Sequence, residues 1–376
     1  MYVVAYTGAM HAQKTLILVG GGHAHALFLH QWQKQSVPGT QLIVIDPHPQ
    51  VPYTGMLPGF VAGHYKVGDL YIDLQQLTHA AGGTLVTDRV EYINPEQKTV
   101  RTASGLVCQY DVLSLDVGIH AKLDTPGFAE HAVAVKPLYD FAVRWEKFVS
   151  KQTGSTKSVN VVIIGGGVAG VELALAAQYR LQQSSVPVRV TIIDRGQVLQ
   201  TVSQATQSYL RKVLTKRDIR MVEGATLTSI TASGVHTNTT VFQSDFTLGA
   251  AGPQPYAWLA ATGLASTGGY IDTMSTLQTP QHPAVFAVGD CAHFVPHPLQ
   301  KAGVYAVRQA PVLHHNVSAY LRDTAMQPFY PQRDYLKLIS LGGKRAAADK
   351  WGWCWRGAWF WWLKSYIDTT FMKKFK

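Results

Sequence analysis

Two clusters of glycine stand where the backbone itself can do the chemistry: Gly20-Gly-Gly-His-Ala-His25 and Gly165-Gly-Gly-Val-Ala-Gly170. A pyrophosphate is a doubly charged group that binds N–H donors at the start of a helix, where the dipole favours anions. Only glycine lets the chain turn that tightly and approach that near. In the second cluster Gly165, Gly167 and Gly170 complete G-x-G-x-x-G, and Asp194 follows Gly170 by 24 residues, placed to accept from ribose hydroxyls. The first cluster has Gly20, Gly21 and Gly22 but carries His25 at the third position, with Asp46 21 residues beyond it. A side chain at that position is expected to loosen the helix on its strand or to point outward. His23 and His25 read as fitted turn residues rather than as metal ligands or acid-base groups, with His23 counted among the cofactor-binding positions as part of the turn. Two turns about 145 residues apart call for two dinucleotides.

The elements that must position these turns are two βαβ units. Thr15–Val19 leads through the first turn into a helix to about Gln35 and then to Gln41–Asp46. Val159–Ile164 leads through the second into a helix to about Gln183 and then to Val188–Asp194. The Val/Ile-rich runs are those of parallel strands buried on both faces. Between the units, residues 84 to 115 read as short strands, Leu138 to Val149 as a helix, and Ser150 to Ser158 as a polar linker. The expected fold class is α/β, with two Rossmann-like dinucleotide-binding domains and a C-terminal membrane-interface segment. The expected boundaries are an N-terminal extension over 1–13, a first domain over 14–150 and 271–330, a second over 151–270, and a C-terminal segment over 331–376.

A third motif discriminates between one nucleotide and two. Val285 to Val288 reads as a short strand, Gly289-Asp290 as the turn after it, and Pro298 to Ser318 as a helix. Asp290 at a strand terminus can hold a ribityl hydroxyl while the helix behind it aims its positive end at the pyrimidine edge of a flavin. With these motifs in place, the chain resembles two-dinucleotide flavoproteins of the pyridine nucleotide-disulfide oxidoreductase superfamily. Its motif order is similar to that of type II NADH dehydrogenases and sulfide:quinone oxidoreductases. The first turn, Tyr53-Thr-Gly-Met-Leu-Pro58, Leu113-Ser-Leu-Asp-Val-Gly118 and Lys301-Ala-Gly-Val-Tyr-Ala-Val-Arg-Gln309 most resemble a subgroup also found fused to selenide water dikinases.

That resemblance, spanning roughly residues 14 to 330, implies FAD at the first unit: Gly20, Gly22 and the Gly21 backbone at the pyrophosphate, Asp46 on the adenosine ribose, and Gly289-Asp290 on the ribityl chain. It likewise implies NADH or NADPH at Gly165, Gly167, Gly170 and Asp194, with Glu172 matching a glutamate that reaches toward flavin and nicotinamide. Flavin chemistry asks little of side chains once the two rings are stacked. Lys301, near the start of the helix after Asp290, is a candidate to offset charge on the reduced flavin or else a surface lysine; Lys136 is a candidate flavin neighbour or else a solvated loop residue. Asp194 at the strand end favours NADH, whereas Arg195 beside it accommodates a 2′-phosphate.

Composition narrows the rest. The three cysteines, Cys108, Cys291 and Cys354, are widely separated, which removes a disulfide framework, a CxxC pair and a four-cysteine zinc site, and counts against sulfur shuttling. No metal site is expected. Net charge is +10, and six Lys/Arg against one acid fall between Lys350 and Lys376, with six of the nine tryptophans. On a helical wheel Trp351, Trp355, Ala358, Trp359, Trp362 and Tyr366 share one face. Tryptophans at headgroup level with basic ends describe a monotopic anchor on a lipid surface, against which stands a dimerisation segment or a lid. No nucleic-acid motif accompanies the charge.

The expected activity is an FAD-dependent NAD(P)H:quinone oxidoreductase, moving hydride from NAD(P)H to FAD and on to a membrane quinone without proton pumping. Its expected place is peripheral on a membrane, on a cytoplasmic or stromal-type face, with a homodimer open. The alternatives are a related flavoprotein with a sulfur, selenium or other acceptor, and a dinucleotide-binding redox sensor without turnover.

Overall fold

A computed structural model describes residues 13–376 other than Lys122, Pro137 and Pro253. The expected N-terminal extension, save its last residue, lies outside the described residues.

Two five-stranded parallel sheets organise the chain. The first runs in the order Val285–Ala287, Val112–Leu115, Lys14–Val19, Thr40–Asp46, Thr84–Thr87. Leu16, Ile17 and Leu18 are consecutive and all fully buried, the signature of a strand covered on both faces. One cover is the helix His23–Trp32 packed on the helix Gly303–Arg322, where Phe28 stacks on Trp32 at 5.3 Å and both rings meet His314. The strand Val285–Ala287 thus enters the first sheet some 170 residues after its neighbour Val112–Leu115, and brings Gly289-Asp290 to the same sheet end as the first glycine turn.

The second sheet runs Ala132–Ala134, Phe246–Gly249, Val159–Ile164, Val188–Ile193, Arg220–Val222. Its first strand lies inside the span expected for the first domain. The boundary expected at residue 150 is therefore corrected: Ala132–Ala134 comes before it, yet pairs with Phe246–Gly249, and the helix Leu138–Gln152 runs across it. A three-residue strand is too short to carry a periodic signal, and only its pairing reveals its sheet.

The C-terminal segment is not one helix. Lys337–Ser340, Ala346–Lys350 and Trp353–Gly357 form an antiparallel meander, and the helix Ala358–Met372 follows. The helical wheel through Trp351 and Trp355 is overturned here. Trp351 and Gly352 both adopt left-handed φ, 52° and 81°, the two-residue turn that matches strand twist in a hairpin. Trp353 and Trp355 then share a face with period two rather than 3.6.

Candidate flavin and nicotinamide sites

The first glycine turn opens on a cavity of about 590 Å³, lined among others by Gly20, Gly21, Gly22, His23, Asp46, Lys136, Asp290 and Lys301. These residues come from stretches far apart in sequence: the glycine turn and Asp290 follow strands, and Asp46 ends one, at one edge of the first sheet, whereas Lys136 follows Ala132–Ala134 of the second. Gly20 has φ +89°, and a Cβ there would lie 2.5 Å from the carbonyl oxygen of Asp116, so the turn admits no side chain. Asp46 ties the turn down: its Oδ2 accepts from Gly21 N at 2.7 Å and its Oδ1 from His48 N at 2.8 Å. The Gly21 N–H, expected at the pyrophosphate, donates to Asp46 in this structure. Burial raises the Asp46 carboxyl above its ordinary value.

His25 neither loosens the helix nor points outward. It is fully buried, its Nδ1–H donating to Gly20 O at 2.6 Å and its Nε2 accepting from Ser114 Oγ at 2.8 Å. A carbonyl can only accept, which sets the tautomer. Burial pushes the imidazole down to about 4, so it is neutral at physiological pH. The histidine thereby fills and bonds the space that a glycine at this position leaves to close packing. In the second unit that space does not exist, for a Cβ on Gly170 would run into Gly165 O.

The second turn repeats the first. Asp194 Oδ2 accepts from Gly166 N at 2.5 Å and its Oδ1 from Gly196 N at 2.6 Å. Gly165 has φ +111° with Ala250 behind it, and Gly167 faces open space. Gly165, Gly167, Gly170 and Asp194 stand together at the C-terminal edge of the second sheet, where a dinucleotide meets a helix N-terminus.

Around the flavin cavity the cationic candidates are both held. Lys136 Nζ donates to Asp290 Oδ2 at 3.2 Å. Lys301 Nζ donates to Ala292 O at 2.6 Å and lies 3.8 Å from the centre of the Tyr270 ring, and burial lowers its pKa. Gly289 takes φ +67° and donates its N–H to Gln309 Oε1 at 2.8 Å, which sets the turn carrying Asp290. His23 is a wall residue, its ring tilted on Tyr53 at 5.2 Å; burial first, then Lys136, pushes it down to about 4. Cys291 is fully buried and its thiol is pushed up to about 12 by burial, the environment of an inert cysteine. Among the described residues no group of three or more His, Cys, Asp or Glu could hold a metal ion.

Glu172 lies elsewhere. It is absent from the cavity wall and faces the C-terminal segment, its Oε1 accepting from Ser340 N at 2.7 Å. Burial raises it to about 7, with the Lys364 charge opposing. Lys364 Nζ in turn donates to Gly55 O at 2.8 Å and to Asp368 Oδ2 at 3.0 Å, while Tyr53 O–H donates to Asp368 Oδ1 at 2.9 Å. This buried cluster ties the last helix to the loop whose Pro52 and Thr54 line the flavin cavity. Sequence reasoning missed it, since its members are spread over more than 300 residues. It also missed Asp116, whose carboxylate sits at the start of the first helix. The signal was available: Asp116 ends an apolar strand, as Asp46, Asp194 and Asp290 do.

Comparison with known proteins agrees with this geometry. Residues 14–310 match the family described as pyridine nucleotide-disulphide oxidoreductase. An alternative NAD(P)H-ubiquinone oxidoreductase of Arabidopsis thaliana, chloroplastic/mitochondrial, is 25% identical over 76% of this chain, which spans 62% of that relative's length. A type II NADH:quinone oxidoreductase of Staphylococcus epidermidis is 21% identical over 96% of both chains. The sulfide:quinone oxidoreductase structure from Aquifex aeolicus superposes with a TM-score of 0.83 at 18% identity, over 96% of this chain and 91% of that one. Glycine turns that exclude a Cβ, aspartates at the ends of the strands behind them and a cavity at one edge of the first sheet fit FAD and a pyridine nucleotide, and with its match over most of its length the chain belongs to the pyridine nucleotide-disulphide oxidoreductase family.

Proposed function

We propose that the protein oxidises NAD(P)H and delivers the electrons to a quinone at a membrane surface. Bound FAD supplies the chemistry, accepting a hydride and returning two electrons. The chain's own residues orient it: Asp46 and Asp290 stand along the cavity, Lys136 and Lys301 supply positive charge beside it, and the second turn presents the nicotinamide nucleotide. NADH and NADPH both remain substrates of this reading, since Asp194 and the exposed Arg195 stand side by side.

One observation carries the choice of acceptor and place. The helix Ala358–Met372 has two faces: Lys364 and Asp368 reach the flavin loop through Gly55 and Tyr53, while Trp359, Trp362 and Tyr366 stand 71%, 56% and 68% exposed. Trp351, Trp353 and Trp355, on the hairpin that precedes this helix, are exposed as well, with Lys350 and Arg356 beside them in sequence. Tryptophan and basic residues together favour the headgroup level of a bilayer, and a lipid-dissolved acceptor would then be met beside the cavity wall. No helix among the described residues is long and apolar enough to cross a membrane. A sulfur acceptor gains no support from the cysteines, which are all free thiols.

The test is anaerobic reduction of the flavin by NADH and by NADPH, followed by reoxidation with quinone in liposomes. Trp361, Phe371 and Met372 are buried, so removing residues 350–376 would damage the fold. Serine at Trp353, Trp359 and Trp362 is the cleaner variant: liposome binding and quinone turnover in liposomes should fall together, with flavin bleaching by NADH unchanged. Bleaching without reoxidation by any quinone would overturn the reading in favour of another acceptor or a sensor.

A further inference from the structure

Asp116 closes the strand Val112–Leu115 and carries a carboxyl group only 3% exposed, on the wall of the flavin cavity. Its Oδ2 accepts from Ala24 N at 2.9 Å and His25 N at 3.1 Å, the first amides of the helix His23–Trp32. A Cβ on Gly22 or Gly289 would run into this carboxyl group, so two glycines from opposite ends of the chain make the room it occupies. The helix N-terminus that a dinucleotide pyrophosphate seeks therefore already holds an acid.

We propose that Asp116 is a proton-linked part of the FAD site: it shares the glycine turn with the cofactor's pyrophosphate as a neutral carboxylic acid, so that FAD binding takes up one proton from water.

The charges around it leave little else to neutralise it. The cavity presents the carboxylates of Asp46, Asp88 and Asp290 as well as Asp116, and its arginine, Arg89, follows Asp88 directly and is not among the charges that act on Asp116. Of the two lysines there, Lys136 is paired with Asp290 and Lys301 is turned to Ala292 O. His23 and His25, one on the cavity wall and the other packed behind the turn, are both held near 4 and carry no charge at neutral pH. The Cys291 thiol is held near 12. Burial, and then repulsion from Asp290 and Asp46, raises Asp116 itself to about 7, although the two helix amides oppose this. A pyrophosphate at the same turn adds like charge and moves the group further up. Between the lower value of the empty cavity and the higher value of the filled one, binding consumes a proton. Affinity is then full below about pH 7 and falls above it, by up to about tenfold per pH unit.

The experiment follows FAD release from the holoenzyme by the recovery of free-flavin fluorescence on dilution, from about pH 6 to about pH 9.5. The wild type should hold FAD progressively less tightly above pH 7. Asp116→Asn, which keeps an acceptor for the helix amides and cannot ionise, should flatten that dependence and retain FAD several-fold better than wild type at the alkaline end. If the asparagine variant does not fold, Asp116→Ser repeats the comparison with a smaller helix cap. Equal pH slopes in wild type and a folded variant, or a wild type with no slope, would overturn the assignment.

Discussion

The hydroxyl of Tyr53 donates to Asp368 Oδ1 at 2.9 Å across 315 residues of chain. It joins the loop beside the flavin cavity to the last helix, and Lys364, bonded to the same carboxylate and to Gly55 O, makes the joint an ion pair. Glu172 adds a second acid facing that lysine, and Asp368 raises the pKa of Tyr53 further after burial has done so. The C-terminal segment is therefore bonded into the flavin domain and is not an appendage.

Lys364→Met should cost about 3–5 kcal/mol, because it leaves Asp368 buried without its cation. Pairing it with Asp368→Leu should recover part of that loss. Denaturant midpoints of the two variants measure it; a single variant as stable as wild type would show that the pair contributes nothing.

The raised carboxyl of Glu172 gives a pH signature. Its pKa is about 7 in the folded chain and 4.5 as a free side chain. Between these values the native state binds a proton that the unfolded state does not, so stability declines as pH rises from about 4.5 to 7 and is level above. Glu172→Gln removes this contribution, on the order of 3 kcal/mol in full. The expected outcome is a variant whose advantage over wild type appears at pH 8 and vanishes at pH 4; an advantage equal at both would contradict the assignment.

The third positions of the two glycine turns need opposite residues, a side chain at His25 and none at Gly170. His25→Gly restores the G-x-G-x-x-G pattern but strips Gly20 O and Ser114 Oγ of their buried partner and opens a cavity, at a cost of about 2–4 kcal/mol. Gly170→Ala forces a Cβ onto Gly165 O and should weaken NAD(P)H binding as well as the fold. Thermal melts and nucleotide titrations read both effects; a His25→Gly protein more stable than wild type would refute the structural role given to that imidazole.

Adjacent tryptophans separate core from surface. Trp361 is 7% exposed, packs edge-on to His64 at 5.3 Å and should cost about 3–5 kcal/mol as alanine. Trp359, 71% exposed, should change stability by no more than about 0.5 kcal/mol. If both behave alike in urea melts, the helix does not dock through the face described.

Both glycine turns, the strands before them and the aspartates after them are local: each lies within about 30 consecutive residues, and the geometry that glycine and a buried parallel strand permit is narrow enough to be read from residue order alone. Asp290 was legible for the same reason, as a Gly-Asp turn after a short strand. Other features answer to partners distant in sequence. Whether Ala132–Ala134 joins one sheet or the other depends on Phe246–Gly249, and whether His25 loosens its helix or seals it depends on Ser114. The hairpin at Trp351-Gly352 depends on Ala346–Lys350 finding two antiparallel neighbours, which a helical wheel cannot represent. Glu172, Lys364, Asp368 and Tyr53 form one cluster only because three elements close on each other, and Asp116 meets the first helix across more than 90 residues. Local sequence thus specified what two coenzymes need from a backbone. The placement of charge around them was decided by tertiary packing, because the burial and the neighbours that set a group's ionisation are properties of the folded surroundings and not of the residue.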